Sequence, residues 1–185
     1  MYLPIVAYGD PILRKKAVEI DKTYPDMAKL ILDMYETMDK SKGVGLAAPQ
    51  INKSIRLFVI DSTKMYEDDE GNKGIREVFI NAKMVTELGE EWKYEEGCLS
   101  IPNIREDVFR KPTIKIKYQD AAFKNHEREF EGLTARVIQH EYDHIDGKLF
   151  IDYIKPLRRS LLKGKLDKIT KGDVDVSYKM KFPRR

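Results

Sequence analysis

With one cysteine among its 185 residues, the chain cannot close an intramolecular disulfide. The thiol of Cys98 is therefore left to pack, to react or to bind a metal, and a reducing compartment is implied. Long apolar runs are also missing, and none approaches the length of a membrane span. The short run from Leu3 to Val6 lacks both a basic flank and the length of a signal core before Gly9, Asp10 and Pro11. A soluble, cytoplasmic protein is the expectation. No internal repeat or dividing linker is found, and with 42% hydrophobic residues the chain can bury one core without disulfides or a structural metal. A metal, where one is bound, is then expected to serve function.

Net charge is only +3, but it is unevenly placed. Lys155 to Arg185 holds eleven Lys or Arg and three Asp, a local charge of +8 that leaves −5 for the rest.

Met27, Leu30, Ile31, Met34 and Met38 recur at helical spacing, which predicts a helix over Pro25 to Lys42, with Pro25 in its first turn and Gly43 as its stop. Gly43 to Gln50, GVGLAAPQ, reads as irregular backbone. Strands are expected at Ile55 to Asp61, Glu77 to Asn81, Met84 to Leu88, Trp92 to Glu95, Glu106 to Phe109, Thr113 to Tyr118 and Glu127 to Phe130. A polar surface loop through Asp68, Asp69, Glu70, Gly71 and Asn72 should join the first two. Leu133 to Ile145 reads as a second helix ending at Gly147, and Pro156 to Lys168 as a third, weakened by Gly164. Strands followed by a helix that carries chemistry point to a single α+β domain.

That helix contains His140, Glu141, Tyr142, Asp143 and His144, an HExxH pattern. Residues four apart share a helix face, so both imidazoles reach one ion while Glu141 reaches a water beside it. The bland alternative is two exposed helix histidines that bind nothing. A third ligand is needed. The pattern continuing to a later histidine fails, because Gly147 is in register but Phe150 stands at the ligand position. A downstream glutamate fails too, since Glu141 is the last one. Cys98, a later aspartate or His126 remain. Cys98 lies in EGCLS beside Gly97, which permits close approach of backbone or substrate, and a thiolate suits zinc or ferrous iron. A lone cysteine is otherwise often a small buried apolar residue.

GVGLAAPQ, EGCLS and QHEYDHIDG, in that order, together with the opening Asp10 to Arg14, resemble the signature segments of peptide deformylases, and the likeness covers most of residues 1–155. The resemblance implies mixed and antiparallel strands packed around a central metal-binding helix, with residues 1–155 as a metallohydrolase domain. Residues 156–185 would be a basic helix and tail, either part of that domain or an appendage.

It also implies hydrolysis of the formyl group from the N-terminal formyl-methionine of nascent polypeptides by a metal-bound hydroxide, releasing formate. Cys98, His140 and His144 would hold one divalent ion, with Fe(2+) favoured and Zn(2+), Ni(2+) or Co(2+) also compatible. Three protein ligands leave the fourth position open to water, whose proton Glu141 can take. The resemblance assigns the developing oxyanion to the Gln50 amide and the Leu99 backbone N–H, with Gly45 beside them. Val44, Leu133 and Val137 would wall an apolar pocket for the methionine side chain, and Gly45 and Gly97 would admit substrate backbone. Arg136, on the same face, either pairs with a carboxylate or covers the pocket.

Two rivals are an endopeptidase, disfavoured by the failed third-ligand patterns, and a ribosome-associated binding module, disfavoured by Glu141 and Gln50 together. The basic tail reads either as a solvated helix or as a surface on which Arg158, Arg159, Lys163 and Lys165 contact ribosomal RNA phosphates.

Overall fold

The computed structural model describes residues 1–66 and 73–183. The expected polar loop from Asp68 to Asn72 lies outside the described residues, as do Arg184 and Arg185. Chain order is β1 (Ile5–Val6), α1 (Met27–Lys40), β2 (Gly45–Ala47), β3 (Leu57–Asp61), β4 (Arg76–Leu88), β5 (Trp92–Cys98), β6 (Ile101–Arg110), β7 (Thr113–Gln119), β8 (Asn125–Glu131), α2 (Gly132–Ile145), α3 (Pro156–Lys171) and β9 (Met180–Lys181). Five strands form one antiparallel sheet in the order β2-β3-β4-β7-β8, β5 pairs with β6, and β1 pairs with β9 in parallel. The result is a single α+β domain. Among the described residues no helix is long and apolar enough to cross a membrane.

α2 lies against the large sheet. Its Ala135, Val137, Ile138 and Ile145 share a core with Phe58, Phe79, Ile114, Ile116 and Phe130. The alternation predicted for β7 is present, because Ile114, Ile116 and Tyr118 are buried while Lys117 faces outward. Phe79 anchors this layer, stacked on Phe58 at 4.8 Å between ring centroids and edge-on to Phe130 at 5.9 Å.

Several expected boundaries move. The two segments Glu77 to Asn81 and Met84 to Leu88 are one strand, β4, interrupted by irregular register at Ile80 to Lys83. Asn81 makes this possible: it takes φ 53° there, and its side chain accepts from the Ile20 N–H at 2.9 Å and donates to Gln119 Oε1 at 2.8 Å. α1 begins after Pro25, with Asp26 in a left-handed conformation, so Pro25 precedes the first turn instead of occupying it. Its left-handed exit is at Lys42, φ 57°, and Gly43 contributes an N–H to the Met38 carbonyl at 2.9 Å. GVGLAAPQ is not irregular. It supplies the edge strand β2 and then a 3-10 turn over Ala48–Ile51.

α3 runs past Gly164 to Lys171 because Leu162, Leu166 and Ile169 fix one face of it against Ala7, Ile101 and Phe150. Gly172, at φ 76°, ends it. The pairing of the two chain ends, Ile5 opposite Met180 and Val6 opposite Lys181, has no counterpart among the strands expected from the sequence.

Candidate metal centre and active site

Helical spacing in α2 puts His140 and His144 one turn apart, with ring centroids at 5.1 Å. Cys98 comes from the end of β5, where the ladder with β6 shifts register between Gly97 and Cys98 and turns the thiol toward α2. Its Sγ is 3.3 Å from His144 Nε2, and one ligand atom from each of Cys98, His140 and His144 lies within 4.8 Å of the others. Among the described residues no other group of three His, Cys, Asp or Glu side chains is gathered this closely. His126 is elsewhere, on β8, paired with Asp120 at 2.7 Å.

The donor set fits a divalent metal. His140 directs Nδ1 at Glu96 Oε2, 3.0 Å away, which leaves Nε2 on the side of the thiol. Glu96 is the hub of a buried charge network. Arg110 Nε donates to its Oε1 at 2.7 Å and Arg110 Nη2 to its Oε2 at 3.0 Å, while Arg136 Nη1 donates to Oε1 at 3.1 Å. Burial alone would raise the Glu96 carboxyl, but the His140 and Arg110 hydrogen bonds outweigh it and hold the group well below the usual carboxylate range. Arg110 also donates to Asp143 Oδ2 at 2.7 Å, and the Tyr153 hydroxyl donates to Asp143 Oδ1 at 2.9 Å. Two guanidiniums thus face two carboxylates behind the ligands.

Glu141 stands outside that network. Burial pushes its carboxyl up to about 7, with His140 opposing the rise and the Glu96 charge adding to it. Its Oε2 is buried without a hydrogen-bond partner among the described residues. A cation bound by the neighbouring ligands would draw the proton off this carboxyl by opposite-charge attraction, and a water there would satisfy the orphaned oxygen. Gln50 is fixed by its own turn: its Oε1 accepts from the Ala47 N–H at 2.8 Å, which aims Nε2 at Ser100 Oγ, 3.2 Å away, and at Cys98 Sγ, 3.5 Å away. A preset amide donor therefore lies beside the thiol.

A cavity of about 550 Å³ opens over these groups. Val44, Gly45, Gln50, Gly97, Cys98, Leu99, Val137, His140 and Glu141 all line it, whereas His144 is buried behind them. Leu133 does not. It lies half-buried at the start of α2, two turns from His140. Arg136 pairs with Glu96 and donates to the Trp92 carbonyl at 2.7 Å, so it does both things open to it, neutralising a carboxylate and closing one side of the cavity.

Sequence reasoning missed Arg110 and Asp143 behind the site, and Glu96 and the tail residues Asp175 to Tyr178, which line the cavity. Glu96 had a signal, since it opens EGCLS two residues before the thiol. Arg110 had none, because only the β5–β6 pairing brings it under α2.

The family model for polypeptide deformylase matches residues 2–160. A peptide deformylase of Cytophaga hutchinsonii is 54% identical over 183 residues, which cover 99% of this chain and 98% of that protein. One from Christiangramia forsetii is 51% identical over 190 residues, covering 99% and 97% respectively. The crystal structure of a peptide deformylase from Legionella pneumophila superposes with a TM-score of 0.80 at 39% identity, over 94% of this chain and 98% of that one.

Proposed function

Because the chain belongs to the polypeptide deformylase family, we propose that Glu141, Gln50 and Leu99 act on a formyl group at a metal held by Cys98, His140 and His144. Members of this family, this chain included, remove the formyl group from the N-terminal formyl-methionine of nascent chains by metal-dependent hydrolysis.

When bound, the metal supplies Lewis acidity, which acidifies a water and makes a formyl carbon more electrophilic. Glu141 takes one proton from the attacking water as the new C–O bond forms. The charge that develops on the formyl oxygen is met by the Gln50 Nε2–H and the Leu99 N–H, from two residues that line the cavity. Glu141, now protonated, passes its proton to the departing amine as the C–N bond breaks, and formate and a free N-terminus result. Val44 and Val137 offer apolar surface to the methionine side chain, and Gly45 and Gly97 leave room for its backbone. One observation carries this assignment: the buried Glu141 carboxyl, with one unpartnered oxygen, faces the cavity that contains Cys98 and His140.

Ferrous iron is the proposed ion. One thiolate and two imidazoles suit it as well as zinc, nickel or cobalt, and likeness to the family favours iron. Residues 156–185 are assigned to the catalytic unit, on the burial of Leu162, Leu166 and Ile169 against the core. Work on chains leaving the ribosome makes the cytoplasm the proposed compartment and ribosomal RNA the proposed partner of the basic helix. On that helix Arg158 pairs with Glu106 at 2.8 Å and Arg159 with Asp152 at 3.6 Å, while Lys163 and Lys165 are exposed. The direct experiment is formate release from a formyl-methionyl tripeptide, with metal analysis of the same sample and casein as control. Casein cleavage without formate would replace this reading with an endopeptidase.

A further inference from the structure

The segment after α3 lies outside every sequence motif and beyond the residues matched by the family model. From Asp173 to Lys179 it runs with alternating exposure, Val174, Val176 and Tyr178 half-buried and Asp173, Asp175, Ser177 and Lys179 exposed. Its path is fastened along its length. Asn103 Nδ2 donates to the Asp175 carbonyl at 3.0 Å, the Lys179 N–H donates to the Tyr2 hydroxyl at 3.2 Å, and β9 pairs with β1. Between these points Asp175, Val176, Ser177 and Tyr178 form a wall of the same cavity that holds Cys98, Leu99 and Glu141.

Within that wall the Tyr178 hydroxyl donates to the Leu99 carbonyl at 2.8 Å. Leu99 is at the tip of the turn between β5 and β6, flanked by Cys98 and Ser100. The next carbonyl, that of Ser100, accepts from the Tyr8 N–H at 2.8 Å. The two carbonyls of this turn are therefore held from outside, one by the C-terminal tail and one by the N-terminal segment. A backbone N–H can stabilise an oxyanion only if its peptide unit is already aimed. With Cys98 held opposite Ile101 on one side and the unit after Leu99 anchored on the other, the φ and ψ open to Leu99 narrow, and with them the direction of its N–H.

We propose that Tyr178 is a positioning residue for deformylation, holding the Leu99 peptide by its carbonyl so that the Leu99 N–H points into the cavity. The proposal rests on the reading of Leu99 as an oxyanion donor. It makes the C-terminal tail part of the active site.

The test compares Tyr178→Phe, Gln50→Ala and the double variant with the parent, measuring kcat, KM, metal content and Tm. Tyr178→Phe keeps the ring and loses only the donor. It should lower kcat about tenfold, a fraction of the roughly hundredfold cost of deleting an oxyanion donor, with KM within about twofold. Metal content and Tm should match the parent. Gln50→Ala should lower kcat about a hundredfold. In the double variant the two losses should multiply to less than their product, because both act on one oxyanion site.

Parent-like kcat in Tyr178→Phe, with Gln50→Ala impaired, overturns the role of Tyr178 and leaves the oxyanion reading standing. Parent-like kcat in both overturns the oxyanion reading itself, and the proposal with it. A fall in kcat that tracks lost metal or lowered Tm, or two losses that multiply fully, shows a merely structural tyrosine and also overturns the proposal.

Discussion

A Cβ built on Gly45 would fall 2.7 Å from both Cγ and Cδ of Glu141, so the proposed base lies directly on the glycine's backbone. Real Cβ atoms do not approach that closely, and both neighbours are constrained: β2 is paired with β3, and the Glu141 side chain is enclosed. Gly45 is thus required by the carboxyl it touches.

Gly45→Ala should therefore displace the Glu141 carboxyl while leaving the metal ligands in place. A misplacement on the order of 1 Å at a reacting group lowers turnover about a hundredfold. Steady-state kinetics with metal analysis will check this, and parent-like kcat would show that Glu141 has room to adapt.

Glu96→Gln should weaken metal binding without touching a ligand. It removes the counter-charge of Arg110 and Arg136 and leaves one amide oxygen where two carboxylate oxygens accepted from them and faced His140 Nδ1. Loss of such a supporting group lowers metal affinity by about 10- to 100-fold, and an uncompensated buried guanidinium costs about 3–5 kcal/mol of stability. Chelator competition and urea unfolding measure the two effects separately. Unchanged affinity would mean that α2 alone orients His140.

Away from the site, the Asp61 carboxyl is held below its ordinary value near 3.8: burial raises it, but hydrogen bonds from Thr63 and Arg76 outweigh burial. A carboxyl lowered in the folded state stabilises the fold above its unfolded value, and that contribution fades as pH falls through the folded value. Asp61→Asn should therefore be less stable than the parent at pH 7, by about 1–3 kcal/mol for lost charge-assisted bonds, and the gap should narrow below about pH 4. Urea unfolding across pH tests this, and a gap that widens in acid would contradict it.

Lys163 and Lys165, exposed where Arg158 and Arg159 are paired with carboxylates, should carry most of any ribosome binding by α3. Replacing both by glutamine should flatten the salt dependence of ribosome co-sedimentation by about one unit of logarithmic slope per lysine, while sparing tripeptide turnover. Unaltered co-sedimentation at low salt would remove α3 from the interface.

How much of this could be read from the sequence depended on range. α2 and the pairing of His140 with His144 on one of its faces were legible because helical periodicity is local and the HExxH spacing encodes one face. The alternation of Ile114, Ile116 and Tyr118 announced β7 for the same reason. Asn81 misled because a polar residue amid a strand pattern looks like a break, whereas here its side chain ties the irregular part of β4 to the Ile20 backbone. Of the two α2 residues expected beside the methionine pocket, Val137 lines the cavity. Arg110 under α2 and Tyr178 on Leu99 depend on pairings between distant segments, which no local pattern reports.

The central claim, that Glu141 is the base beside a metal held by Cys98, His140 and His144, is met most directly by one measurement on Glu141→Gln: formate release and bound metal in the same preparation. The amide keeps the shape of the side chain but cannot take a proton from water. The predicted result is parent-like metal content with turnover lowered at least about a hundredfold. Parent-like turnover at full metal content would contradict the account.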